Sequence, residues 1–181
     1  MLQGERIILR VVTKAYLANM LRWFNDTEII CNLSMYLPMT EIGEEKWLEG
    51  LSTTRKSTDI VFVIEVMDSE KSIPIGTCGL HGIDWKNRDA EFGIAIGEKD
   101  YWSHGYGTEA AKLIIAYGFD ELNMHRISSR AYAFNEKSIG MHRKIGFKQD
   151  GLVREGAYKR GQYHDIVIFG LLKREWELQN S

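Results

Sequence analysis

Apolar residues recur along this chain at two spacings, and the places where one gives way to the other outline its elements. Over residues 5–12, Ile7, Leu9 and Val11 alternate with Arg6, Ile8 and Arg10, which predicts a first strand. The period then lengthens. Tyr16, Leu17, Met20, Leu21 and Phe24 fall at helical spacing behind Thr13, a residue suited to capping, and stop at the Asn25-Asp26 breaker. After a polar, irregular stretch, a second helix is predicted from about Thr40, carrying Trp47, Leu48 and Leu51.

Period two returns. The β-branched run at 60–66 and the segment 73–80 read as strands joined by a polar hairpin turn from Met67 to Ser72. A turn at 84–89 leads into a fourth strand, Glu91 to Gly97, so that this part of the chain is an antiparallel meander. Ala111, Ile115, Gly118, Phe119 and Leu122 then share one helical face. Residues 126–133 alternate as a strand. Residues 135–146 predict a short helix, with Asn135 as its cap, Glu136 in its first turn and Gly146 just past its end. Segments 147–158 and 163–172 flank a Lys159-Arg-Gly-Gln162 turn as a closing hairpin. No repeat, linker or low-complexity stretch interrupts this order, which predicts one α/β (α+β) domain over residues 1–181 with a mixed sheet.

Composition narrows the partners. With 44% hydrophobic and 11% aromatic residues and only two prolines, the chain is expected to bury a core. A net charge of −2 offers no global positive field to hold nucleic acid. Cys31 and Cys78 are too few and too far apart to suggest a disulfide framework or a thiolate metal site. The histidines His81, His104, His125 and His164 form no metal-binding spacing. No apolar run is long enough for a signal peptide or a membrane span, so the expected location is the cytoplasm, with no membrane partner.

The chemistry concentrates behind the fourth strand, in the loop Trp102-Ser-His-Gly-Tyr-Gly107 and the helix start that follows. Gly105 and Gly107 allow positive φ and leave backbone amides uncovered, so the loop can close on an anion at a helix N-terminus. The string Gly105-Tyr-Gly-Thr-Glu-Ala110 satisfies the dinucleotide pattern G-x-G-x-x-A. Its context does not: Glu98 to His104 separates the strand from the glycines, and residues 126–135 contain no acid for a ribose. A triphosphate loop would need Lys followed by Ser or Thr, and Gly107 is followed by Thr-Glu.

Taken together, this loop, Trp23-Phe-Asn-Asp26, Asn135-Glu-Lys-Ser138 and Lys144-Ile-Gly-Phe147 resemble the GCN5-related N-acetyltransferase (GNAT) family. Within it they are most similar to the branch that acetylates the N-terminal Ala or Ser of ribosomal proteins, with the polyamine acetyltransferases a near neighbour. The resemblance implies a mostly antiparallel mixed sheet, helices on both faces, and a V-shaped splay between two central parallel strands, here 91–97 and 126–134. It implies acetyl-CoA as co-substrate and no metal. The pantetheine arm would pair with Ile94, Ala95 and Ile96. The pyrophosphate would rest on amides from Ser103, His104, Gly105, Tyr106, Gly107 and Thr108, with Asn135, Ser138 and Lys144 completing the cofactor set. The family pattern opens with Arg or Gln where this chain has Trp102, which shifts the task to backbone amides and to His104 if protonated.

Acyl transfer from a thioester to an amine needs a neutral amine, a donor for the oxyanion and a proton for the thiolate. An N–H near Ile94 would serve the oxyanion. Glu91, in the cofactor strand, is the candidate base; the alternative is a cross-strand partner for Arg88 or Arg130. Ser138 and His142, four apart on one helix, are the candidate acids. The family implies tyrosine at position 142 in many relatives and the serine in the ribosomal branch; the alternatives here are a surface histidine and a first-turn hydroxyl. Trp85, Tyr132, Phe134 and Tyr158 read as packing or cleft-wall residues.

The acceptor stays open between a protein N-terminus and a small amine such as a polyamine. Asp26, Glu28, Glu41, Glu44, Glu45 and Glu49, against only Arg22 and Lys46, form either a solvated surface or an electronegative entrance in which Glu28, Glu41 and Glu91 meet a cationic substrate. A CoA-binding module without catalysis is a further alternative, as is a nicotinamide oxidoreductase. The hairpin 147–172 and Trp176 serve either a homodimer contact or the monomer core.

Overall fold

A computed structural model of the chain describes residues 1–52, 58–67 and 71–180. Among these, eight strands form a single sheet in the order β1-β2-β3-β4-β5-β6-β8-β7. The strands are β1 (Leu2–Gln3), β2 (Ile7–Val11), β3 (Ile60–Met67), β4 (Ser72–Asp84), β5 (Asp89–Ile96), β6 (Arg126–Tyr132), β7 (Lys148–Lys159) and β8 (Gln162–Leu172). Every neighbouring pair is antiparallel except β5 and β6. The helices are α1 (Leu17–Phe24), α2 (Thr27–Ile30), α3 (Glu41–Ser52), α4 (Tyr106–Asp120), α5 (Glu136–Ile145) and α6 (Lys173–Asn180).

Strand β3 is buried on both faces, and its alternation divides the core in two. Phe62, Ile64 and Val66 face a layer built on α4 and α5, in which Ile114, Ile115, Phe119, Ile127 and Phe169 are fully enclosed. Val63 faces a second layer with Met20, Trp23 and Phe24 of α1, Ile29 of α2 and, at its edge, Trp47 and Leu48 of α3. Helices thus cover both faces, and the mixed α/β sheet expected from the sequence is what forms. On the second face the buried Glu65 is held by Arg10 Nε at 2.5 Å and by the Tyr16 hydroxyl at 2.7 Å.

Local sequence accounts for most element ends. Asp26 caps α2 by accepting from the Glu28 amide at 2.9 Å, and Thr40 accepts from Gly43 N at the start of α3. Gly146 terminates α5 in the left-handed region at φ 106°. Arg160 and Gly161, at φ 51° and 82°, make the two-residue turn between β7 and β8.

Three expectations are corrected. Thr13 makes no side-chain cap; Lys14–Tyr16 form a 3-10 turn, and α1 begins only at Leu17. The polar stretch after Asp26 contains the short α2, which periodicity cannot detect in four residues. Val11 is 63% exposed while Val12 is buried, so the alternation slips at the end of β2. The expected turn from Met67 to Ser72 falls largely outside the described residues. Trp176 is buried against Phe119, with ring centroids 6.2 Å apart, and so completes the core. Among the described residues no helix is long and apolar enough to cross a membrane.

Gly97 shows how tightly the second layer closes on the end of β5. A Cβ at this position would overlap the Trp23 indole, whose Nε1 donates to Glu98 Oε1 at 2.8 Å. Gly97→Ala is expected to cost about 1–3 kcal/mol through overpacking; a urea denaturation midpoint equal to wild type would contradict this packing.

Candidate active site at the fork between β5 and β6

The two parallel strands pair only over Asp89–Glu91 and Arg126–Ser128, and then part. Beyond that point β5 stays paired with β4 on one side, since Gly97 N donates to Ile75 O at 2.7 Å and Ala95 lies opposite Thr77. Alternate residues turn the other way. The Phe92 carbonyl accepts from Ser129 Oγ at 2.9 Å, and the Ile96 carbonyl accepts from Trp102 Nε1 at 2.8 Å. Between them the N–H and C=O of Ile94 face the open cleft. Ala95 belongs to the β4 side, so strand-like pairing in the cleft is available at Ile94 and not at Ala95.

The loop after β5 carries two left-handed residues, Ser103 at φ 66° and Gly105 at φ 86°. Gly105 is the N-cap of α4, and the amides that follow are those a helix leaves without intrahelical partners. Gly107, by contrast, lies within the helix and needs no positive φ. A Cβ there would point at Ile96, Ile94 and Met141, at 3.7, 3.8 and 3.9 Å, on the walls of the cleft. Arg6 braces the loop from outside, donating to the His104 carbonyl at 3.0 Å and to Glu109 at 2.9 Å.

Helix α5 forms the opposite wall. Asn135 Oδ1 accepts from Ser138 N at 3.1 Å, so the expected cap is present. His142 is not the surface histidine or open acid that its sequence neighbourhood allowed: it is 2% exposed, stacked on Phe169 at 4.7 Å and flanked by Phe147 and Phe92. Its Nδ1 lies 2.7 Å from the Ser138 carbonyl oxygen, which only accepts, so Nδ1 carries a proton. Nε2 lies 2.8 Å from Ser129 Oγ. With both nitrogens engaged and the ring enclosed by phenylalanines, the geometry does not leave His142 as a direct proton donor to a ligand.

These elements enclose an open cavity of about 1050 Å³. Of the residues expected in the site, the structure brings Glu91, Ile94, Ala95, Ile96, Ser103, Gly105, Gly107, Thr108, Asn135, Ser138 and His142 to its lining. His104, Tyr106, Lys144, Glu28 and Glu41 do not line it. Glu28 and Asp26 are paired with Lys99 at 2.6 and 2.8 Å, and Arg22 is paired with Glu98. Glu44 is buried, which raises its carboxyl pKa. Part of the acidic run is thus met by Lys99 or buried, and neither Glu28 nor Glu41 reaches the cavity lining.

The cavity also has lining residues that sequence reasoning did not assign to the site. Asn32, Leu33 and Ser34, with Ile29, form a wall opposite Phe134 and Ile166. That wall is tied down by the Tyr132 hydroxyl, which donates to Leu33 O at 3.0 Å, and by Lys159 Nζ, which reaches Ile30 O and Met35 O. Burial raises the Tyr132 pKa and lowers that of Lys159. Lys137 sits 5.9 Å from the Trp102 ring, on the cofactor side. Glu91 is half-exposed, 3.5 Å from Arg130 Nε. The first-turn position of Lys137 beside Asn135 was the signal available for it; the 32–34 wall left none.

Known proteins share this architecture. The profile of the acetyltransferase (GNAT) domain matches residues 6–148. A Bacillus licheniformis protein named "Uncharacterized N-acetyltransferase p20" is 28% identical over 179 residues, 97% of each chain. The "Putative ribosomal N-acetyltransferase YdaF" of Bacillus subtilis (strain 168) is 42% identical over 102 residues, which is 56% of this chain and 55% of its own length. The crystal structure of spermidine N-acetyltransferase from Vibrio cholerae in complex with CoA and spermine shares the fold, with a TM-score of 0.88 at 21% identity over 96% of this chain and 99% of that one. The chain belongs to the GNAT family of acetyltransferases and is an acyl-CoA N-acyltransferase.

Burial holds the pKa of His142 below its ordinary 6.5, against a smaller opposing effect of the Ser138 carbonyl. The fold therefore favours the neutral ring. As pH falls through about 6.5 the unfolded chain takes up a proton that the folded chain resists, so stability is present above that pH and is lost below it. Between about pH 7 and pH 5 the denaturation midpoint of the wild type is expected to fall further than that of His142→Phe. Parallel midpoints for the two proteins would contradict the assignment.

Proposed function

We propose that the protein moves the acetyl group of acetyl-CoA to a primary amine by direct transfer in a ternary complex, and that the amine is the N-terminus of a peptide. The observation that carries this reading is the fork itself. It is a cleft whose one wall offers the unpaired N–H and C=O of Ile94 and whose floor ends in the free amides of a helix N-terminus. Those groups fit an extended amide chain ending in phosphates. Lys137, on the neighbouring helix and beside Trp102, supplies a cation on the side where the family pattern has Arg or Gln.

Acetyl-CoA, when bound, supplies an acetyl thioester. The Ile94 N–H is the donor for the oxygen that gains charge as the amine attacks, a contribution of about 3 kcal/mol in comparable sites. Glu91, at the last paired position of β5, takes the proton of the incoming ammonium, directly or through water. As the C–N bond forms and the C–S bond breaks, Ser138 relays a proton: it gives its hydroxyl proton to the departing sulfur and takes the second proton of the attacking nitrogen in return. His142 stays out of the proton path.

The acceptor half of the cavity favours a singly charged amine. There Glu91 lies 3.5 Å from Arg130 Nε, and the wall of Ile29, Asn32, Leu33, Ser34, Phe134 and Ile166 is neutral and partly aromatic. A polycation would meet no surplus of negative charge there, while an α-amine has a pKa near 8 and loses its proton more readily than a polyamine. A polyamine acceptor is the second reading, favoured by the spermine-bound Vibrio cholerae structure that shares the fold.

Thiol release from acetyl-CoA, measured with peptides beginning in Ser or Ala and with spermidine, tests the choice. Turnover is expected with peptides; turnover confined to spermidine would overturn the acceptor assignment. With the better acceptor, Glu91→Gln is expected to lower kcat by about 100-fold with acetyl-CoA affinity unchanged. A kcat within a fewfold of wild type would remove Glu91 as the base.

A further inference from the structure

A parallel ladder that has begun at Asp89–Arg126 gains a hydrogen bond with each further pair, so something must stop it after Glu91–Ser128. The Phe92 carbonyl, one residue past the last pair, is where it stops. In place of a β6 backbone amide it accepts from the Ser129 side chain. We propose that Ser129 and His142 form a pin that sets the opening of the fork, and that both are positioning residues for acetyl-CoA; this deepens the reading above and rests on it.

The physical basis is one of spacing and rigidity. Paired strands lie about 4.8 Å apart because N–H meets C=O directly. Interposing the Cβ and Oγ of Ser129 between the two backbones holds them wider. A lone serine rotor would swing away, but Ser129 Oγ is also 2.8 Å from His142 Nε2. In the neutral ring Nε2 is an acceptor, so the single hydroxyl hydrogen is shared between Nε2 and the Phe92 carbonyl, a three-centre bond. The ring cannot follow a movement of the strand. It is fixed by the Ser138 carbonyl at 2.7 Å and by coplanar stacking on Phe169, with an interplanar angle of 9°. Ser129 and His142 are each 2% exposed, so a lost partner leaves a buried polar atom, which is costly.

The chain of contacts therefore runs from α5 through His142 and Ser129 to β5. It joins Ser138, on one wall of the cleft, to Phe92, two residues before Ile94, on the other. The width of the cleft at Ile94 and its distance from Ser138 are set together by this one pair of side chains.

The test uses Ser129→Ala, which removes one oxygen atom, together with His142→Phe, which keeps the ring stack but loses both hydrogen bonds. For folded Ser129→Ala, calorimetric titration is expected to show acetyl-CoA binding weakened by at least about tenfold. The acceptor KM should change less than twofold, and the pH profile of kcat should keep its wild-type shape. Imidazole ¹⁵N resonances of the full-length wild type should report a neutral ring protonated on Nδ1, with an Nε2 resonance that shifts in Ser129→Ala. Unchanged acetyl-CoA affinity in Ser129→Ala would overturn the pin, as would an Nε2 resonance that does not move. Loss of a limb of the pH profile in His142→Phe would also overturn it, by giving His142 the proton-transfer role. If the wild type itself fails to bind acetyl-CoA, the functional reading fails instead, and the Nε2 resonance still decides the pin: a shift in Ser129→Ala supports it and no shift refutes it.

Discussion

The structure turns on a backbone problem in the middle of its sheet. A strand that stops pairing inside a fold leaves carbonyl and amide groups that must find other partners or remain costly. Here β5 leaves β6 after Glu91, and two carbonyls on its freed side are met by side chains: Phe92 by Ser129 and Ile96 by Trp102. Ile94 lies between the two with its backbone facing the cleft. Among the described residues, the site is thus the stretch of this strand edge that meets no side-chain partner, between Phe92 and Ile96.

The two layers of helices are arranged around that gap. On one face α4 presents its N-terminus to the end of the cleft, and α5 presents Ser138 to its middle, both fixed by a core that includes Ile114, Ile115, Phe119 and Phe169. On the other face α1 closes over Gly97 with Trp23, which fixes the far end of β5. The loop after α2 reaches across to meet Tyr132 of β6 and Lys159 at the base of the β7–β8 turn. Each wall of the cavity is held by a different part of the chain, so its shape depends on the whole sheet.

Much of the fold was legible because its signals are local. The β-branched run of β3, the helical face of α4 with Ala111, Ile115 and Phe119, the Asn135 cap and the Gly146 stop depend on neighbours within a few residues, and each reappears in the structure. Where a signal needed more than its neighbours, it misled. Thr13 had the right chemistry for a cap but precedes a 3-10 turn, and of the acids from Asp26 to Glu49, open between a solvated surface and an entrance, two are met by Lys99, far along the chain.

By itself the sequence determined most of the elements and their order, a mixed sheet, the glycine loop at a helix start and the placing of Ser138 and His142 on one side of α5. These follow from periodicity, capping and φ preference, which act over a turn or less. Only the tertiary structure decided that His142, at the cavity wall, is enclosed among Phe92, Phe147 and Phe169 with both nitrogens engaged. Only it decided that Ile94 rather than Ala95 offers its backbone, and that Asn32 to Ser34 make a wall. The reason is physical: burial, strand-edge pairing and the partners of a charge are set by residues brought together from β4, β6, β8 and α2, and no spacing within one segment encodes which of them arrives.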